Sequence, residues 1–134
     1  MPRITNYSVL VALISMLLVL PLQAQEPAQE KATPAELRKA EAAALEEKSR
    51  QAYENGKYLS FYNANNKLHR MRPYVPDYMY NMVRACALLG RRSNAYDVMQ
   101  QMQKQVLSNE FNASPDTQSI RNSESYEYMH GMLV

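Results

Sequence analysis

The spacing of two glycines constrains the fold more than any other feature of this sequence. The chain of 134 residues contains only three glycines, and two of them, Gly56 and Gly90, lie 34 residues apart. Each separates two segments whose apolar residues recur at helical spacing, and glycine commonly ends a helix. A helix–turn–helix unit repeated at this period cannot bury its apolar face alone, so neighbouring units must stack. The sequence therefore predicts an all-α fold of stacked antiparallel helical hairpins, with about two repeats plus terminal helices.

Capping residues and prolines mark the ends of the predicted helices. The first helix begins at Thr33-Pro34-Ala35-Glu36, a capping box with proline at the first helical position, and ends near Gly56. Ser93 is the candidate cap of the fourth helix, and Ser114-Pro115-Asp116 opens a short fifth helix. The other helices are expected at about Lys57 to Arg72, Asp77 to Leu89, Asn94 to Leu107 and Ser123 to Met132.

The third and fourth helices have the clearest apolar faces. The predicted buried residues of these faces are Met79, Met82, Val83 and Cys86 on the third helix, and Ala95, Val98, Met99, Met102 and Val106 on the fourth. Cys86 is the single cysteine, which excludes an intrachain disulfide and a cysteine-based metal cluster. Because no basic residue flanks it, a buried and inert thiol is the favoured interpretation. A reactive thiol or an intermolecular disulfide is the alternative.

The first 24 residues predict a secretory signal peptide. A short positive start precedes an apolar run from Val9 to Leu20, and a plausible cleavage site follows Ala24. The run is too short to span a bilayer comfortably, so an uncleaved membrane anchor is the less favoured alternative. Residues 25–32 are polar and predict a flexible linker. We therefore expect a periplasmic or secreted protein, folded over residues 33–134, with no stable membrane insertion after signal cleavage.

The segment from Pro76 to Leu107 resembles a tetratricopeptide repeat. Met82 stands in the hydrophobic position of the first helix, Gly90 at the turn, and Ala95 in the small position of the second helix. Met99 and Met102 follow on that helix, completing the similarity. The resemblance implies repeats at about residues 42–75 and 76–109 and C-terminal capping helices at 114–132, in an exported bacterial member of the family.

The first repeat departs from the family pattern at two positions. Phe61 replaces the expected small residue, and Asn65 replaces the expected large one. A helix pair packed through Phe61 is expected to sit further apart or to tilt. The tail from Asp116 through Tyr128 also resembles the segment that, in exported bacterial proteins, caps such a stack ahead of a second domain, in some cases a gluconolactonase-like propeller.

The resemblance also implies a concave groove lined by the first helix of each pair. By position, the residues in the hypothetical partner-binding groove are Arg50, Tyr53, Asp77, Tyr80, Asn81 and Arg84, with Glu54 beside them. Two arginines and two tyrosines suit a carboxylate or an extended peptide, since arginine pairs bidentately with carboxylates. The alternative is that both arginines are solvated or pair with Glu46, Glu47 or Asp77.

We therefore expect a non-enzymatic adaptor that binds a protein or peptide partner. The alternatives are a docking or regulatory module of a separate or lost hydrolase-type enzyme, such as a gluconolactonase-like propeller, and a self-associating structural protein. No catalytic motif is evident and no cofactor is expected. His69 and His130 are isolated in the sequence, so no metal site is expected.

The balance of charge argues against a nucleic-acid partner. The chain has 15 Lys and Arg residues against 13 Asp and Glu residues. Two modest basic clusters leave binding of an acidic partner or of anionic lipid as an alternative. Because they lie near helix ends, a favourable interaction with the helix dipole also explains them. They comprise Lys67, His69, Arg70 and Arg72 in one and Arg91 and Arg92 in the other.

Overall fold

The computed structural model describes residues 31–133, and these form an all-helical unit without a strand. The predicted signal peptide lies outside the described residues, as does most of the predicted linker. Within residues 31–133, no helix is both long enough and apolar enough to cross a membrane. The α-helices are α1 (Pro34–Glu54), α2 (Tyr58–Met71), α3 (Pro76–Leu88), α4 (Arg92–Lys104) and α5 (Glu124–Leu133), with 3-10 helices at Phe111–Ala113 and Pro115–Ile120 between α4 and α5.

Local capping chemistry sets the ends of α1 and α3, as the sequence predicts. At the start of α1, the Thr33 hydroxyl accepts from the Glu36 amide at 3.3 Å, and the Glu36 carboxylate accepts from the Thr33 amide at 2.7 Å. Gly56 and Gly90 have φ angles of +66° and +68°, in the left-handed region that favours glycine. At each glycine, two backbone hydrogen bonds close the helix end in a Schellman motif. Both predicted hairpin turns are confirmed.

Two predictions about α4 are wrong. The helix begins at Arg92, and Ser93 does not cap it, because the Schellman turn at Gly90 leads directly into the helix with Arg91 at the cap position. The helix also ends at Lys104, so Val106 does not belong to its buried face and is 91% exposed. Val106 has a φ angle of +56° and occupies a third Schellman turn. This turn reverses the chain and brings the C-terminal segment back onto α3 and α4.

The predicted fifth helix exists, but as a 3-10 helix. The Ser114 hydroxyl accepts from the Asp116 amide at 3.3 Å, so the predicted cap is confirmed. The helix from Pro115 to Ile120 packs against α3, and α5 packs against α4. The four longer helices pack consecutively, α1 on α2, α2 on α3 and α3 on α4.

The main apolar core lies between α3, α4 and the C-terminal segment. Its buried members are Met79, Met82, Val83, Cys86, Ala87, Ala95, Val98, Met99, Met102, Phe111, Ile120, Tyr126 and Leu133. Methionine side chains are flexible and fill irregular gaps, which suits a core assembled from helices of unequal length. Apart from Val106, every residue predicted on the two apolar faces is buried here.

The first hairpin is joined to α3 through two much smaller apolar clusters. One consists of Ala42, Leu68 and Tyr78. The other places the Phe61 ring between Ala52 of α1 and Ala85 of α3. Because both flanking residues are small, the large side chain at position 61 is accommodated between the helices.

Candidate functional site

A cleft of about 320 Å³ opens between α1 and α3, with α2 at its base. We call it the α1–α3 cleft. Four of the six residues predicted for the groove line it, namely Arg50, Tyr53, Asn81 and Arg84. The other residues that line it are Glu46, Ser49, Phe61, Asn65, Leu68 and Tyr78.

The other two predicted groove residues lie elsewhere on α3. Asp77 is exposed at the start of the helix and accepts a hydrogen bond from the Asn109 side chain at 3.2 Å. Tyr80 packs against Phe111, with ring centroids 5.3 Å apart, and contacts the main core. Both side chains therefore contact the segment that follows α4, and neither lines the cleft.

Arg84 is held by a carboxylate of its own chain. Its guanidinium group lies 2.7 Å from the Asp116 carboxylate through Nη2, and Nε donates to the same oxygen at 2.8 Å. The Tyr53 hydroxyl donates to that oxygen at 2.9 Å, and the Tyr53 ring centroid lies 4.6 Å from the guanidinium carbon. Only 20% of the Arg84 side chain and 11% of the Asp116 side chain are exposed. Cation–π contact and charge-assisted hydrogen bonds thus fix Arg84 at one end of the cleft.

A chain of hydrogen bonds, which we call the polar network, runs along the base of the cleft from Ser49 to Asp116. Asn65 is fully buried, and its amide nitrogen donates to the Ser49 hydroxyl at 2.7 Å. Its amide oxygen accepts from Asn81 at 3.1 Å, and the Asn81 oxygen in turn accepts from Arg84 at 2.9 Å. The network links α1, α2, α3 and the second 3-10 helix. A buried network whose members are all paired favours one arrangement of the helices.

Arg50 differs from Arg84 in having only exposed partners. It lies 2.6 Å from Glu47 and 2.5 Å from Glu54, both on its own helix, and 55% of its side chain is exposed. The pair with Glu47 is the alternative that the sequence left open. Glu46 pairs instead with Arg72 at 3.1 Å and accepts from the Tyr78 hydroxyl at 2.8 Å.

Burial is the main cause of the pKa shifts of two titratable groups outside the cleft. Cys86 is buried, as expected, and desolvation raises its pKa to about 11, so it stays a neutral thiol near neutral pH. Burial lowers the pKa of His69, which favours its neutral form. Among residues 31–133, no three His, Cys, Asp or Glu side chains converge where they could hold a metal ion.

Comparison of the chain with family models, with curated proteins and with solved structures gives no match. The resemblance to the tetratricopeptide family therefore stays a prediction from the sequence. The site combines a cleft between two helical hairpins with a largely buried, paired arginine at one end and an exposed arginine on the rim.

Proposed function

We propose that this chain is an exported, tetratricopeptide-like adaptor without enzymatic activity, which binds an extended segment of a partner protein in the α1–α3 cleft. The observation that carries the proposal is the position of the cleft between the first helices of two hairpins. The consecutive packing of α1 to α4 and the identical turns at Gly56 and Gly90 support the same interpretation. Export is supported by the signal-peptide pattern of residues 1–24.

The chemistry of the cleft suits a peptide better than a small apolar ligand. Tyr53 is partly exposed and offers aromatic surface, and the Asn81 amide, beside its bonds to Asn65 and Arg84, keeps one further N–H and one further lone pair for a peptide backbone. Aromatic side chains supply contact area at a low cost in conformational entropy. Arg84 and Asp116 already satisfy one another, so these two residues shape the cleft.

Arg50 is the charged group that a ligand can recruit. Its present partners are exposed carboxylates on its own helix, and exposed pairs of this kind contribute little to stability. A carboxylate on the ligand can replace Glu47 or Glu54 while the guanidinium stays at the rim. We therefore expect a partner segment that carries at least one acidic group near an aromatic or aliphatic residue.

The test compares Arg50→Ala with Lys48→Ala. Both positions are exposed on α1 and both changes remove one positive charge, but only Arg50 lines the cleft. Protein expressed from the full chain is used to capture partners from envelope extract. We expect the same partner with the wild type and Lys48→Ala, and its loss with Arg50→Ala.

A peptide from that partner is then titrated into ¹⁵N-labelled protein. The side-chain amide signals of Asn65 and Asn81 report on the cleft directly, because both groups lie within it. Shifts confined to these amides and their neighbours support the proposal. Equal capture by both variants, or shifts elsewhere with these amides unchanged, contradicts it. Arg84→Ala is a poorer test, because it leaves the Asp116 carboxylate without its partner.

A further inference from the structure

A second cleft, outside the α1–α3 cleft, is formed by the first turns of α1 and the last turn of α2. The helix α1 has 21 residues and α2 has 14, and every residue of α1 from 34 to 41 is exposed. The space between these two helix ends measures about 630 Å³. Four cationic side chains line it, namely Arg38, Lys39, Arg70 and Arg72. We call it the basic cleft.

The cations of the basic cleft exceed the carboxylates that could neutralise them. Glu41 is the one acidic residue of its lining, and it pairs with Lys67 at 2.8 Å. Arg72 pairs with Glu46 outside the cleft. Within residues 31–133, no carboxylate lies within 4.0 Å of the charged nitrogens of Arg38, Lys39 or Arg70.

The excess of positive charge is local to the surface around the basic cleft, because the chain as a whole is nearly neutral. Its 15 basic and 13 acidic residues would give little net charge to any one surface if they were evenly mixed. A neighbouring space of about 430 Å³ shares Arg70 and Met71 with the basic cleft and adds Asn63, Asn66 and Lys67 to its lining. The combined surface therefore offers mainly hydrogen-bond donors, set around Arg70.

We propose that the basic cleft binds a phosphate-bearing ligand. Arginine and lysine carry donors and no acceptor, and the guanidinium fork pairs bidentately with phosphate oxygens. A phosphate monoester carries a charge of about −1.5 to −2 and three acceptor oxygens. One carboxylate would offset only one of the three cations that lack a partner within residues 31–133, whereas one or two phosphate groups match their number. A free phosphate compound and the clustered headgroups of an anionic lipid surface both offer phosphate oxygens, although each phosphodiester headgroup carries a single charge.

The test uses two double variants that remove the same charge. Arg38→Ala/Arg70→Ala removes one arginine from each side of the basic cleft, and Arg91→Ala/Arg92→Ala removes two exposed arginines at the start of α4. Pyrophosphate and inorganic phosphate are titrated by calorimetry into protein expressed from the full chain, at low ionic strength. Flotation with phosphatidylglycerol vesicles, and with phosphatidylcholine vesicles as the neutral control, tests the headgroup. Circular dichroism checks that each variant is folded.

We expect the wild type and Arg91→Ala/Arg92→Ala to bind alike, and the cleft variant to bind about tenfold more weakly for each arginine lost. Pyrophosphate binding without flotation assigns the site to free phosphate compounds, and flotation with phosphatidylglycerol alone assigns it to a lipid headgroup. Absence of binding to every phosphate probe overturns the proposal. Equal weakening in both variants also overturns it, because net charge would then explain the binding. Tighter binding of a polyglutamate peptide than of pyrophosphate contradicts the choice of phosphate.

Discussion

The two helical hairpins of this protein are held in place by different interactions. In the second hairpin, α3 buries seven of its 13 residues, and five of these join residues of α4 and the C-terminal segment in one continuous core. In the first hairpin, α1 buries only Ala42, Ser49 and Ala52 among its 21 residues. The first hairpin meets α3 through two small clusters and the polar network. Because apolar burial is the dominant stabilising contribution, the second hairpin should be the more stable region.

This difference bears on binding, since the α1–α3 cleft lies on the boundary between the two regions. One wall comes from the less stable hairpin and the other from the more stable one. A ligand that contacts both walls stabilises the first hairpin against local opening, because it binds the closed state and not the opened one. Three measurements test whether the two hairpins differ in stability in this way.

Phe111→Ala should have the largest effect, because it empties part of the main core. Phe111 is fully buried against Tyr80, and removing a buried aromatic ring costs about 3–5 kcal/mol. Urea denaturation should show a single transition at a much lower midpoint, since the whole domain depends on this core. The matched control is Tyr74→Ala, because Tyr74 is 85% exposed. A midpoint equal to that of the control would show that the main core does not dominate stability.

Asn65→Ala should have an intermediate effect, confined to the first hairpin. The change removes the hydrogen-bond partner of the Ser49 hydroxyl and of the Asn81 amide nitrogen, at a cost of about 1–3 kcal/mol. Native-state hydrogen exchange should then show faster exchange in α1 and α2 than in α4. Asn63→Ala is the control, since Asn63 is exposed two residues earlier on the same helix. Equal loss of protection in all four helices would mean that the two hairpins open as one unit.

Acid should have the smallest effect, again through the first hairpin. Burial lowers the pKa of His69 in the folded state, so the unfolded chain binds a proton more readily as the pH falls. The contribution of His69 to stability is therefore complete above about pH 6.5 and is lost as the pH falls through the lowered folded pKa. Urea midpoints measured between pH 7.5 and 5.5 should decrease in the wild type. His69→Gln should remove part of that decrease, and an unchanged pH dependence in the variant would refute the assignment.

The sequence predicts the helices of this fold well because their ends depend on local chemistry. The capping box at Thr33 and the glycines at 56 and 90 act within a few residues of themselves, so their pattern is visible without a structure. The buried faces of α3 and α4 are likewise visible as helical periodicity. The end of α4 was not predictable in this way, because Val106 is a β-branched residue in a backbone conformation that such residues rarely adopt.

The candidate site is predicted less completely, because its main contact is long-range. Arg84 and Asp116 are 32 residues apart, and no spacing rule connects a residue on α3 with the first turn of a 3-10 helix. The sequence identifies Asn65 as a departure from the repeat pattern. It does not predict the hydrogen bonds that the Asn65 amide makes. The contact between Arg84 and Asp116 also depends on where the chain reverses after α4, and that reversal carries no glycine to reveal it.

The left-handed backbone at Val106 makes the end of α4 conditional on the rest of the domain. A valine in this conformation is unfavourable by about 1–3 kcal/mol, and its exposed side chain makes little contact that could compensate. The compensation comes from the docking of the residues that follow, including Phe111, Ile120 and Tyr126. Before those residues dock, the local preference of the backbone is to continue α4 past Lys104. The position of the Asp116 carboxylate beside Arg84 thus depends on a turn that only the completed core sustains.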